Sequence, residues 1–378
     1  MAHYNTILNQ IAAFFPRHDF ERLAKTHHHG QKFRSFNRWS QCLAMLIAQL
    51  SGRKSLRDLT DNINAQGRRI YHLGMRRISR ASLARVNENQ PYELYKCMFY
   101  ALLNKCRQLS PGHRFKFHGK IYLLDTTTIN LCLAVFPWAT FRKTKGAIKL
   151  HTGLDADGYL PAFMDMTNGK THEIQWARAL QLPPGSCVVF DRGFNDYSWY
   201  QKLTENKVFF VTRLKRNAVV EFLQKRQGRK SANISQDQTI QLKGMNSHLR
   251  LICSTDPATG KEYHFITNNC DLQAATIADL YKERWQIELF FKWIKQNLKV
   301  KTFLGTTPNA VLTQLWIALC VYLLLSFLKL KAKLGQSLTT LLRLLQLNLF
   351  ERRSLIELLK PPDFQKTFSP QLLLWDKL

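Results

Sequence analysis

Two short apolar runs, each followed at once by an aspartate, constrain the fold of this chain most. Residues 121–124 read I-Y-L-L before Asp125, and residues 187–190 read C-V-V-F before Asp191. Short continuous apolar runs bounded by turn signals are typical of buried strands. Buried strands need helices to cover the sheet, so these runs predict an α/β domain.

The surrounding pattern predicts that the sheet is mixed and is interrupted once. Residues 216–247 are polar and uneven, and two later strands are expected at 249–254 and 262–267. We therefore predict a mixed sheet flanked by helices, with a β-rich insertion over 216–271. The other expected elements are strands at 147–154, 159–166 and 208–214 and helices at 172–182 and 196–206.

A stretch without proline or glycine, residues 280–298, is predicted to form one amphipathic helix. At about 100° per residue, Tyr281, Arg284, Glu288 and Lys295 share one polar stripe beside an apolar one. One face can therefore be buried while the neighbouring stripe presents a hydroxyl, a carboxylate and two cations. The alternative is a surface helix in which Arg284 and Glu288 form an ordinary i,i+4 ion pair.

The charge balance predicts an anionic partner. The chain has 55 Lys and Arg against 26 Asp and Glu, a net charge of +29. A field of this sign attracts polyanions and speeds their capture. Nucleic acid is the first candidate partner, and an anionic membrane surface is the second.

The first 115 residues are predicted to form a basic, helical domain that binds DNA. An apolar helix at 39–50 and a short helix at 56–63 flank a tight turn, which resembles a helix-turn-helix unit. Arginines follow at 68–69 and 76–80, and cations near helix starts suit contacts to phosphates. A merely basic helical domain is the alternative.

Several other classes of protein are disfavoured. The eight cysteines are scattered without a C-x-x-C pair, which argues against a zinc ribbon and a disulfide framework. Residues 311–330 are very apolar, but the uninterrupted run is short, so a buried core helix is expected rather than a membrane span. The N-terminus lacks the layout of a signal peptide, and a cytoplasmic protein is expected.

Three carboxylates occur in contexts that suit a metal site. Asp125 and Asp191 each follow a buried strand, and Glu288 lies on the polar stripe of the predicted helix. Ligand groups in α/β sheets often lie at the carboxyl ends of strands. If the two strands are neighbours, the three groups can hold Mg²⁺ or Mn²⁺, which prefer oxygen ligands. Two such ions would serve phosphodiester chemistry. For either aspartate alone, a simple turn residue is the alternative.

These residues together resemble the insertion-sequence-four family of DDE transposases. Asp125 in L-L-D-T-T and Asp191 in V-F-D-R-G-F precede a helix that matches the family signature Y-(2)-R-(3)-E-(6)-K at Tyr281, Arg284, Glu288 and Lys295. The resemblance spans about 120–300. It implies a ribonuclease-H-like core interrupted by a β-rich insertion, with two divalent ions held by the three carboxylates.

The resemblance also implies how DNA is held. Tyr281, Arg284 and Lys295 are expected to contact DNA near the cleaved end, and Arg192 of the D-R-G-F motif is added to them. Arginine and lysine bind phosphate oxygens as a fork and a point charge. Trp285 flanks the site and could stack on an unpaired base.

The implied reaction is cleavage at the inverted-repeat ends of an insertion sequence, followed by attack of the freed 3′-OH on target DNA. A homodimer that pairs two ends, in a bacterial, nucleoid-associated setting, is implied too. A structure-specific nuclease on the same core and a catalytically inactive DNA-binding derivative remain alternatives. The expected domains are 1–115 (helical), 116–215 with 272–330 (catalytic), 216–271 (insertion) and 331–378 (helical C-terminal segment).

Overall fold

A computed structural model describes residues 5–30, 36–226 and 233–360 of the chain. A single mixed sheet runs through it in the order β2-β3-β1-β5-β6-β10-β9-β8-β7, and β4 pairs with β3. The α/β class with a mixed sheet is therefore confirmed. The strands are β1 (Ile121–Leu131), β2 (Thr140–Arg142), β3 (Lys145–Asp155), β4 (Leu160–Asn168), β5 (Cys187–Phe190), β6 (Phe209–Arg213), β7 (Val220–Lys225), β8 (Ile234–Leu242), β9 (Leu249–Thr255) and β10 (Glu262–Thr267).

Helices cover both faces of this sheet, and the N-terminal helices share a core with one of those faces. In the described ranges they are α1 (Ile7–Ala12), α2 (Arg17–Thr26), α3 (Arg38–Leu50), α4 (Leu56–Ala65), α5 (Arg80–Asn89), α6 (Glu93–Arg107), α7 (Glu173–Ala179), α8 (Tyr197–Glu205), α9 (Ala274–Glu283), α10 (Trp285–Asn297), α11 (Pro308–Lys331), α12 (Leu338–Asn348) and α13 (Leu355–Leu359). Of the segment expected at 331–378, residues 361–378 lie outside the described part.

The first strand is longer than its apolar run predicts. β1 continues to Leu131 because it pairs antiparallel with β3 along its length, so Asp125 lies inside the strand and opposite Thr152. The parallel partner β5 stops earlier, at Phe190 opposite Leu124. The expectation that the strand ends at Asp125 is wrong, although the parallel pairing does end there.

The β-rich segment extends the same sheet. β10 pairs antiparallel with β6, and β9, β8 and β7 follow outward from it. The strands expected at 249–254 and 262–267 correspond to β9 and β10. β7 and β8 escape sequence prediction because β7, at the edge of the sheet, is almost entirely exposed, and β8 is mostly polar and only partly buried.

Residues of β1 alternate between the two faces, as in any strand. Ile121 and Leu123 belong to the core that α9, α10, α11 and the N-terminal helices share. Tyr122 and Leu124 belong to a second core, with α7 and α8. By the same alternation, Asp125 faces α10 and its neighbour Thr126 faces α7.

The predicted helix 280–298 is two helices. α9 ends at Glu283 and α10 begins at Trp285, with Arg284 between them at φ −51°, ψ −27°. Arg284 N–H donates to the Tyr281 carbonyl, and Ile287 N–H donates to the Arg284 carbonyl, each three residues away. The i,i+3 hydrogen bonds make this a tightened, 3₁₀-like turn that separates the two helices.

α11 is the central helix of the N-terminal cluster. It packs against α3, α5 and α6, and every residue of α3 is buried. In the described residues α11 is the one helix long and apolar enough to cross a membrane, but 94% of its apolar window is buried inside the protein. The expected core helix at 311–330 is confirmed.

Two buried glutamines fix the α10–α11 loop (residues 298–307). Gln314 donates to the carbonyls of Lys299 (2.6 Å) and Thr302 (2.8 Å) and accepts from the N–H of Leu304 (2.9 Å). Gln49 of α3 accepts from the N–H of Lys299 at 2.8 Å. The loop is therefore tied both to α11 and to the N-terminal helices.

We predict that Gln314→Leu lowers the free energy of unfolding by about 2–4 kcal/mol, because the Thr302 carbonyl and the Leu304 N–H lose their partner and the Lys299 carbonyl keeps only its longer bond from Gln49. Urea denaturation measures the change. Gln346→Leu is the matched control, since Gln346 makes one exposed hydrogen bond, to the Ser51 carbonyl. If both variants lost the same unfolding free energy, Gln314 would not have the proposed role of fixing the α10–α11 loop.

Candidate active site

The register between β1 and β5 brings the two aspartates together. Leu123 pairs with Val189 and Leu124 with Phe190, so Asp125 and Asp191 are the next residues of two adjacent parallel strands. Both follow residues that alternate between the same two cores, so both point to the face that α10 covers. The neighbouring strands assumed by the sequence argument are therefore present.

α10 lies against this position and adds Glu288. Arg284 donates to Glu288 Oε1 at 2.5 Å, and its Nη1 lies 3.6 Å from Asp125 Oδ2. Arg284 and Glu288 thus form the i,i+4 ion pair that was the alternative for a surface helix. The Arg284 guanidinium also reaches Asp125. One cation therefore links the strand carboxylate to the helix carboxylate.

The charge state of Asp125 reflects this crowding. Burial raises its pKa to about 7, the hydrogen bond from Thr126 N–H and the charge of Arg284 oppose the rise, and the charges of Asp191 and Glu288 add to it. Both other carboxylates therefore lie within electrostatic range of Asp125. A buried acid with such a pKa, in a cluster of like charges, is typical of a functional site.

The three carboxylates do not all meet at one point. In the part of the chain that the structure describes, the one trio of possible metal ligands within 4.8 Å of one another is Cys253, Glu262 and His264, on β9 and β10. Glu288 is instead held by Arg284. Asp191 Oδ1 accepts from Gly193 N–H at 2.8 Å and starts a 3₁₀ turn, Arg192–Phe194.

Gly193 leaves room for two carboxylate groups close to this turn. A Cβ at Gly193 would lie 2.9 Å from Asp191 Oδ1 and 3.1 Å from Glu173 Oε2. Glu173 begins α7, and its Oε1 lies 3.6 Å from Lys149 Nζ. The glycine of the D-R-G-F motif thus lets a fourth carboxylate approach the Asp191 turn, and sequence patterns did not identify that group.

Lys295 of α10 contacts β1 two residues beyond Asp125. Its ammonium donates to Thr127 Oγ1 at 2.6 Å. Burial lowers the pKa of Lys295, and the nearby charge of Lys301 lowers it further, whereas Asp125 raises it. The predicted lysine is therefore beside the carboxylates, half-buried on the same face of the sheet.

Tyr281 and Trp285 line a cavity of about 200 Å³ between α9 and the β6, β9 and β10 strands. Tyr281 is tilted against Phe265, with ring centroids 4.9 Å apart, and Arg213 lies over the ring of Tyr263 at 4.8 Å. Trp285 is 57% exposed at the edge of this cavity. Aromatic faces and cations thus adjoin the carboxylates.

Arg192 is half-buried at the start of the turn that follows Asp191. Its guanidinium has no acceptor within hydrogen-bond distance among the described residues. The position places a cation next to the second aspartate.

A buried histidine on the opposite face supports this part of β1. His151 Nδ1 is 2.9 Å from Thr126 Oγ1, its Nε2 is 2.7 Å from Thr167 Oγ1, and its ring stacks on Trp176 at 5.2 Å. Both ring nitrogens are therefore partnered. Sequence reasoning missed His151, although a polar residue inside the buried pattern 147–154 was a visible signal.

Two family models match the chain. A domain of unknown function matches residues 3–76, and a transposase DDE domain matches residues 116–324, which include the two aspartates and the glutamate. The chain belongs to the DDE transposases. Members catalyse polynucleotidyl transfer on DNA and use divalent metal ions, and the mixed sheet of this member agrees with their ribonuclease-H-like core.

Curated relatives agree with this assignment. A candidate transposase of Sinorhizobium fredii is 32% identical over 292 residues, which are 74% of this chain and 80% of the relative. A candidate transposase of an insertion sequence in Geobacillus stearothermophilus is 30% identical and covers 68% of each chain. A similar protein of Synechocystis is 22% identical over 95% of this DDE transposase and 98% of the relative.

We predict that His151 makes the transposase lose stability below neutral pH. Burial lowers the pKa of His151 to about 4, whereas an unfolded histidine titrates near 6.5. The unfolded chain therefore takes up a proton first, and about 3 kcal/mol is lost as the pH falls from about 6.5 to about 4. Urea denaturation at a series of pH values measures this loss.

His151→Gln should flatten the profile in that window, because the titrating ring is gone while two hydrogen-bonding groups remain. His18→Gln, at an exposed position of α2, is the control for removing a histidine. An unchanged slope in His151→Gln would show that other groups cause the pH dependence.

Proposed function

We propose that this DDE transposase cleaves DNA at the inverted-repeat ends of an insertion sequence and joins the freed 3′-OH to target DNA. The observation that supports this most is the adjacency of Asp125 and Asp191 at the end of a parallel strand pair, under the helix that carries Glu288. This is a carboxylate site on one side of a sheet in a protein with a net charge of +29.

The donor set fits divalent metal ions. Asp125, Asp191 and Glu288 offer hard oxygens, which suit Mg²⁺ or Mn²⁺. Burial is the main cause of the raised pKa of Asp125, and the charges of Asp191 and Glu288 add to it; a divalent cation bound there would favour the ionised carboxylate. We propose two ions, because ligands of different ions need not meet at one point. When bound, the ions would activate the attacking oxygen and stabilise the leaving oxygen of a phosphodiester.

The cationic side chains near the carboxylates are proposed to bind DNA phosphates. Arg284 now pairs with Asp125 and Glu288. Once those carboxylates bind metal, its planar fork is free to bind a phosphate. Lys295, on the same face, and Arg192, beside Asp191, would bind neighbouring phosphates as positive charges. Each of these contacts orients the strand relative to the carboxylates.

Tyr281 and Trp285 are proposed to hold a nucleotide next to the cleaved bond. Trp285 exposes more than half of its surface at an aromatic cavity, and Arg213 adds a positive charge there. Base stacking on exposed aromatic rings is a general way to hold an unpaired nucleotide. The Y-R-E-K residues would thus act together, with Glu288 on metal and the others on DNA.

We further propose that two copies pair two element ends and that the protein works in the bacterial cytoplasm, associated with the nucleoid. The domain roles follow from this function: residues 1–115 bind DNA, 116–215 with 272–330 catalyse, and 216–271 contribute one wall of the aromatic cavity. The C-terminal helices α12 and α13 pack on α3 and α1 and support the N-terminal cluster.

The principal test uses purified protein, Mg²⁺ or Mn²⁺, and a duplex that carries the terminal repeat of the protein's own element. Wild type should produce both a nicked and a joined product. Asp125→Asn and Glu288→Gln should each abolish both, while the circular dichroism spectrum and end-DNA binding persist. Strand transfer that survives in these variants would disprove the assignment, and nicking without joining would indicate a nuclease.

A second prediction concerns the stacking residue. Trp285→Ala should lower the cleavage rate about tenfold, since stacking on an aromatic ring contributes about 1–3 kcal/mol per base. Trp285→Phe keeps a ring and should recover most of the rate. Leu289→Ala, at another exposed position of α10, is the control. If Trp285→Ala cleaves as fast as this control, the stacking role is wrong.

A further inference from the structure

A groove lies between the start of α4, the start of α5 and the α10–α11 loop. Its volume is about 650 Å³, with Phe303 and Leu304 of the loop on one side and the two helices on the other. We name it the α4/α5 groove. Its charged lining residues are Lys54, Arg57 and Arg80.

The charges at this groove are almost all positive. Lys54, Arg57 and Arg80 are exposed along it. Asp58 lies close in sequence, but it is paired with Arg53 at 3.0 Å. No ion pair involves Lys54, Arg57 or Arg80 within the described ranges. A set of unpaired cations on a pocket wall repels itself and favours an anion.

The loop carries the same charge from the groove to the carboxylate site. Lys299 lies beside Gly52, where its ammonium would be 3.8 Å from a Cβ. Lys301 is exposed, and its charge acts on Lys295, which contacts β1 at Thr127. Cations therefore continue from β1, along the loop, to the groove.

The loop is also held rigidly enough to serve as one wall. Gln314 and Gln49 bind its backbone from inside the protein. Phe303 packs edge-on against Phe136, with centroids 5.7 Å apart, and Trp138 Nε1 donates to the Thr306 carbonyl at 2.7 Å. The cations are thus mounted on a fixed surface, which lowers the entropy lost when a partner binds.

We propose that the α4/α5 groove holds the backbone of the DNA duplex as it leaves the active site, with phosphates at Lys54, Arg57, Arg80 and Lys301. A partner with charges repeated along its length fits a cationic path better than a small anion or an acidic side chain does. This inference rests on the proposed function, because it takes DNA to be the molecule in the site. It adds where the flanking duplex lies.

The test compares two double variants of equal charge change. Arg57→Glu/Arg80→Glu alters the groove, whereas Lys202→Glu/Lys243→Glu alters exposed positions on α8 and on the β8–β9 turn beside it. α8 belongs to the core on the other face of the sheet, away from the carboxylates. Binding to terminal-repeat duplexes is measured by fluorescence anisotropy over a KCl series, and thermal midpoints check folding.

The groove variant should bind a long duplex at least about tenfold more weakly than the control, and its plot of log affinity against log salt should be shallower by about two. Arg57→Lys/Arg80→Lys should bind within about twofold of wild type, because phosphate contacts need charge. The difference should vanish for duplexes too short to reach from the carboxylates to the groove.

The outcomes separate the two proposals. If wild type neither binds nor cleaves terminal-repeat DNA, the proposed function fails. If wild type does both and the groove variant matches the control in affinity and salt slope, only the groove assignment fails. A loss that is equally large for the shortest duplex would also overturn the groove assignment, because the arginines would then act at the active site.

Discussion

The parallel pairing of β1 with β5 is the constraint on which the site depends. Its register places Asp125 and Asp191 side by side, and the alternation of side chains turns both toward the helix that carries Glu288. A shift of one residue in either strand would send its aspartate to the face of α7 and α8. The apolar residues before each aspartate oppose such a shift, because it would move each of their side chains out of its own core and onto the opposite face of the sheet. The hydrophobic pattern therefore positions the charged groups.

Gathering three partly buried carboxylates near one another is unfavourable, and the protein offsets this with Arg284. The turn between α9 and α10 matters here. The contact of Arg284 with Glu288 is an i,i+4 pair that a continuous helix would also allow, and the guanidinium at the α9–α10 junction additionally approaches Asp125 of β1. The same charge keeps the pKa of Asp125 from rising further. Arg284 thus stabilises the carboxylate cluster through its charge.

Sequence patterns predicted what depends on local chemistry. Apolar runs revealed β1 and β5, helical spacing revealed the stripe from Tyr281 to Lys295, and the low polarity of α11 revealed a core helix. Features that depend on distant partners were not predictable. β1 extends past Asp125 because β3 pairs with it, α9 and α10 separate at Arg284 through a tightened turn, and His151 matters through threonines on two other strands. Each of these requires knowing which elements meet.

The continuity of the sheet gives the β-rich segment a defined relation to the carboxylates. Phe265 of β10 pairs with Arg213 of β6, and β6 pairs in turn with β5, which leads into Asp191. Hydrogen-bonded ladders therefore connect the aromatic cavity to the second aspartate without a flexible linker. Tyr281 also links the cavity to the carboxylates, because its ring packs on Phe265 and its helix, α9, ends next to Arg284. A nucleotide held in the cavity would thus be positioned by the same backbone that positions the carboxylates, and catalysis of an in-line displacement requires that kind of fixed geometry.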